Sequence, residues 1–128
     1  MDKSLESFLH PARKANMKFR ITGFKDEFEF RQISAKEGIE IARDSDKRDL
    51  PGTLAMLPTM AAAMVVPDLR NKELQDAVSE KCGHKIIDPY NTMLELFTDS
   101  ELAQLMQVYG KFINTNAEFS EGVETAKN

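Results

Sequence analysis

A chain of 128 residues and 14.5 kDa is the size of one domain and is long enough to bury a core without metal or disulfide staples. Its 41% hydrophobic and 30% charged residues fit a soluble globular protein, and no apolar run reaches the roughly 20 residues of a membrane span. Net charge is −4, with residues 1–25 at +4 against −8 for the rest, so the acidic body repels phosphate backbones and argues against nucleic-acid binding. The basic N-terminal charges interleave with hydrophobic residues as in a strand rather than clustering as an arm.

Leu5, Phe8 and Leu9 sit at helical spacing before Pro11, predicting a short helix over 2–9. Met17, Phe19 and Ile21 then alternate with Lys18 and Arg20, and Phe28 and Phe30 with Glu27, Glu29 and Arg31, which is a hairpin pattern. A two-residue type II′ turn at Gly23-Phe24 pairs Phe19 with Phe28 and Met17 with Phe30 on the dry face. The same register sets Lys18 opposite Glu29 and Arg20 opposite Glu27 on the wet face, and helices must cover the aromatic side.

Ser34-Ala35-Lys36-Glu37 is a capping box opening a short helix that contains Gly38; residues 44–49 read as a solvated linker before the Pro51-Gly52 turn. From Leu54 to Val66 only Thr59 is polar, and the expected helix starts near Pro58 and stops before Pro67. Asn71 caps a helix through Lys81 that ends at Gly83, and Asp88-Pro89 opens another with Tyr90, Met93, Leu94 and Phe97 on one face. A second capping box, Thr98-Asp99-Ser100-Glu101, starts a helix whose stripe is Leu102, Leu105, Met106, Tyr109, Phe112 and Ile113. Residues 115–128 lose the periodicity and read as a flexible tail after a domain over 1–114. The expected fold is α+β, mainly α, with an N-terminal antiparallel hairpin packed on four to five helices.

Catalytic chemistry finds little purchase here. Cys82-Gly83-His84 supplies two metal ligands, but no second cluster offers a third and fourth, so a buried thiol beside an exposed histidine is expected, with no metal. Asp44-Ser45-Asp46 opens like a calcium loop, yet Asp49 stands at the glycine position and Ala55 at that of the bidentate glutamate. No phosphate-cradling glycine motif occurs, and no cofactor is expected. Met56, Met60 and Met64 recur at i, i+4 and i+8, and flexible thioethers serve either as core filling or as the lining of a groove for varied apolar helices.

The order of these elements resembles a known family. Phe8-Leu9, the basic–aromatic hairpin, the capped helix and charged linker, an apolar helix ending in Pro67-Asp68-Leu69 with Glu73-Leu74-Gln75-Asp76 behind it, and a last helix containing Glu101, Leu102 and Leu105 are similar to bacteriophage tail assembly chaperones. The likeness is to the branch from Gram-positive hosts and phage-like elements, and it spans about residues 4–114. Family hairpins often carry a longer turn, and a tyrosine-glycine often stands where this chain has Ala77-Val78. The resemblance implies a non-enzymatic protein of the bacterial host cytoplasm. Its implied partner is the tape measure protein, held soluble before the tail tube forms, with room for a homo-oligomer and for a longer frameshifted version. The side chains expected to meet that client are Met56, Met60, Met64, Leu102, Leu105, Met106 and Tyr109. A structural minor tail or baseplate protein is the alternative.

Overall fold

The computed structural model describes residues 2–13, 15–47 and 49–114; the expected flexible tail over 115–128 lies outside them. Strands β1 (Met17–Phe19) and β2 (Phe28–Phe30) pair antiparallel in the expected register, with Met17 opposite Phe30, Lys18 opposite Glu29 and Phe19 opposite Phe28. The Phe19 and Phe28 rings stack with centroids 5.5 Å apart. The connection differs from the two-residue turn. Ladder pairing stops at Phe19 and Phe28, and the turn that forms is Ile21–Phe24, closed by the Phe24 amide on the Ile21 carbonyl at 3.4 Å. Gly23 takes the third position with φ +97°, where a type II turn needs positive φ. Packing explains the change: Ile21 turns into the core, and Phe24 lays its ring edge-on against Phe28 and Phe97. Arg20, freed from the expected pairing with Glu27, reaches the Lys25 carbonyl instead.

A third strand was not anticipated. Helix α3 (Leu57–Ala63) ends three residues before the expected stop, and Met64–Val66 forms β3, antiparallel to β2 with Phe30 opposite Met64 and Glu29 opposite Val66. The sheet order is β1-β2-β3. Two adjacent valines favour a pleated backbone, and Val66 precedes a proline that disfavours the helical conformation. Hence β2 is paired on both sides, and its Phe28 and Phe30 are buried.

The expected capping side chains Ser34, Asn71, Asp88 and Thr98 each open a helix. Helix α1 (Lys3–Glu6) runs into a 3-10 turn at Ser7–Leu9. Helix α2 (Ala35–Asp46) begins with the Ser34 hydroxyl accepting the Glu37 amide at 3.1 Å. It takes in part of the expected linker, because Ser45 turns inward and its hydroxyl bonds the Ile41 carbonyl at 2.9 Å. Asn71 caps α4 (Lys72–Cys82), which stops at Gly83 with φ +85°, and Asp88 caps α5 (Pro89–Leu96). On α5, Met93 is buried but Leu94 faces outward. The second capping box closes in both directions ahead of α6 (Asp99–Asn114): the Glu101 amide donates to the Thr98 hydroxyl at 3.2 Å and the Thr98 amide to the Glu101 carboxylate at 2.9 Å. Thr98→Ala is therefore expected to cost about 1 kcal/mol, read as a lower urea midpoint at unchanged slope.

Helix α3 lies inside, touching α2, α5, α6 and β3. Among the described residues the largest fully buried side chains are Phe30, Met60, Met64, Leu69, Met93, Leu105 and Thr92, and the Thr92 hydroxyl donates to the Asp88 carbonyl at 2.7 Å. The fold is thus α+β and mainly helical, with the hairpin expanded to a three-stranded sheet. Among the described residues no helix is long and apolar enough to cross a membrane.

Candidate functional site

The apolar side chains expected to meet a client divide between interior and surface. Met60, Met64, Leu105 and Tyr109 are core residues, none more than 5% exposed, so they cannot touch a partner while the fold is closed. The i, i+4, i+8 methionine stripe does not exist as one helical face: Met56 precedes α3, Met60 lies within it and Met64 begins β3. Met56, Leu102 and Met106 pack against the core while staying partly exposed. Most of the Leu54–Val66 run is interior, with Leu54 and Val66 exposed at its ends.

Among the described residues the densest run of exposed large apolar side chains is instead the N-terminal segment, with Ile39 and Ile87 exposed singly elsewhere. Leu5, Phe8 and Leu9 are 58%, 80% and 61% exposed, and every described residue from 2 to 13 is exposed. Helix α1 and the 3-10 turn have no buried residue, although Asp2 caps α1 through the Ser4 amide. Helical spacing places this segment in the sequence, but its lack of packing depends on long-range folding and is not visible there.

A charged cluster ties the end of β2 to α2 and α3. The Arg31 guanidinium grips Glu37 with two bonds, of 3.0 and 2.7 Å, and also donates to the Ala62 carbonyl at 3.0 Å. Arg70 approaches the same carboxylate at 3.7 Å. The bond from Arg31 holds Glu37 below the usual carboxylate range, and Glu37 raises Arg31 in turn, each against a smaller opposing effect of burial. Burial pushes the neighbouring Tyr109 hydroxyl up, with Arg31 opposing. The cluster borders an open cavity of about 350 Å³ whose wall includes Glu40, Asp44, Asp88 and Tyr90. Its hydrogen bonds join secondary-structure elements; it holds no nucleophile beside a base.

The third constellation lies at the opposite end of α4. Residues two apart on a regular helix do not share a face, but the left-handed turn at Gly83 brings Cys82 and His84 together. Glu95 of α5 joins them, so that one ligand atom from each of Cys82, His84 and Glu95 lies within 4.8 Å of the others. The partner missing from the sequence pattern is thus supplied by a helix that packs alongside. Cys82 is partly exposed rather than buried.

No protein-family model matches the chain, and neither a curated protein nor a solved structure shows significant similarity to it.

Proposed function

We propose that this protein is a non-enzymatic tail assembly chaperone that binds a tape measure protein and keeps it soluble while a phage-type tail is built. The observation that carries the reading is the N-terminal segment, where Leu5, Phe8 and Leu9 are presented on a helical turn that buries none of them. Exposed aromatic and aliphatic side chains at helical spacing suit the apolar face of an amphipathic client helix. The element order from Phe8-Leu9 through Glu101-Leu102 adds the family likeness, and a net charge of −4 favours solubility of a complex. Met56, Leu102 and Met106 are the expected client contacts still reachable on the closed fold.

Co-expression with the tape measure protein of the same tail gene cluster tests this. Wild-type protein is expected to move the client from the pellet to the soluble fraction. A Leu5→Ser/Phe8→Ser/Leu9→Ser variant should lose that effect while its own melting temperature stays put. No gain in client solubility with the wild type overturns the reading. Recovery of the chain in purified particles by mass spectrometry would favour a minor tail or baseplate protein instead.

A further inference from the structure

The Cys82–His84–Glu95 cluster is a set of side chains with metal-binding chemistry that the chaperone reading does not use. A thiolate, an imidazole and a carboxylate are the three donor types that zinc accepts, and three protein donors plus water form a familiar open zinc site. The atoms are near the spacing required. Donors sharing one zinc lie about 3.3–3.7 Å apart, given bonds of roughly 2.0–2.3 Å in a tetrahedron. His84 Nε2 and Glu95 Oε1 are 3.9 Å apart, and the three donor atoms fall within 4.8 Å of one another. Binding requires the donors to draw together, by up to about 1 Å for the widest pair.

The backbone around the cluster is built rather than loose. The Ser79 hydroxyl accepts the Ile86 amide at 2.7 Å and donates to the Gln75 carbonyl at 2.7 Å, folding the segment after Gly83 back onto α4. Gly83 supplies the left-handed residue that aims positions 82 and 84 the same way. The Cys82 thiol donates to the Ser79 carbonyl at 3.7 Å and to the His84 carbonyl at 3.4 Å, bonds that metal binding exchanges for one to the ion, and the C-terminal end of α4 adds partial negative charge that attracts a cation. The shallow cavity beside His84 carries Asp76 and Glu80 against the single cation Lys85. The exposed edges of His84 and Glu95 leave the metal a path from solvent.

We infer that Cys82, His84 and Glu95 form a zinc(II)-binding site with a fourth position open to water. On binding, the Cys82 S–H bond breaks, its proton passes to solvent and the sulfur lone pair forms the zinc–sulfur bond. Thiolate and carboxylate then balance the two positive charges of the ion. Magnesium and calcium, which prefer all-oxygen shells of six or more ligands, do not suit this donor set.

The test is titration of the full, reduced chain with cobalt(II) as a spectroscopic probe and with zinc(II) against a chromophoric chelator. One equivalent of cobalt should produce a thiolate-to-cobalt charge-transfer band that zinc abolishes. Cys82→Ser should remove the band, and Glu95→Gln should weaken zinc binding at least about tenfold, a loss that even groups supporting a metal ligand produce. His10→Ala, which alters the other histidine, should change neither. All three mutated side chains are at least partly exposed, so circular dichroism should show the wild-type fold in each variant. Absence of the band, or zinc affinity unchanged in both Cys82→Ser and Glu95→Gln, overturns the site.

Discussion

Phe30→Ala is expected to lower the unfolding free energy by about 3–5 kcal/mol, the usual cost of deleting a fully buried aromatic ring. Phe30 is 0% exposed and sits on the central strand. Its ring meets Phe19 at 4.9 Å, Tyr109 edge-on at 5.0 Å and Phe112 at 6.3 Å between centroids, so one side chain joins the hairpin to α6. Because a small domain is stable by only about 5–15 kcal/mol in total, the variant should populate unfolded chains at mild denaturant. Urea denaturation measures this directly. Phe19→Ala, made at a partly exposed ring of the same face, should cost less; an equal or greater loss would refute Phe30 as the centre of the cluster.

Breaking the Arg31–Glu37 pair should give the second effect, about 1–3 kcal/mol for Arg31→Met at neutral pH. The guanidinium binds both oxygens of Glu37 and the Ala62 carbonyl, so its loss leaves acceptors on two helices without that donor. The pair is about 30% exposed, and solvent screening keeps the cost below that of a fully buried ion pair. The pH dependence follows from the direction of the Glu37 shift. Its folded pKa is held below the ordinary glutamate value by the bond from Arg31, so the unfolded chain binds more protons there. The stabilisation is complete above the unfolded value and disappears as pH falls through the folded one. Arg31, raised further by its bond to Glu37, stays charged throughout that window. The stability gap between wild type and Glu37→Gln should accordingly be widest near neutrality and narrow on acidification below about pH 4.5. A gap that does not change with pH would exclude the carboxylate charge as its source.

Local chemistry was the legible part of this sequence. Ser34, Asn71, Asp88 and Thr98 each cap the helix expected, since the donor and acceptor lie within three residues of each other. The hairpin register also followed from alternation, even though Ile21 and Phe24 reshaped its turn to reach the core. Long-range pairing was harder to read. An apolar run such as Leu54–Val66 has no polar face to distinguish helix from strand, and only β2 alongside makes Met64–Val66 extended. The same ambiguity made Met56, Met60 and Met64 look like one face. Likewise, nothing near Cys82 and His84 in sequence announces Glu95; the packing of α5 on α4 brings it there.

The central position of β2 also bears on synthesis at the ribosome. A nascent chain emits Phe28 and Phe30 early, yet β3 must follow before the strand's second edge is paired, and Tyr109 and Phe112 must follow before the Phe30 ring is covered. Contacts so distant along the chain delay folding and lengthen the exposure of sticky intermediates. Until α6 has left the exit tunnel, the aromatic cluster is unfinished, and this small protein is itself vulnerable to aggregation.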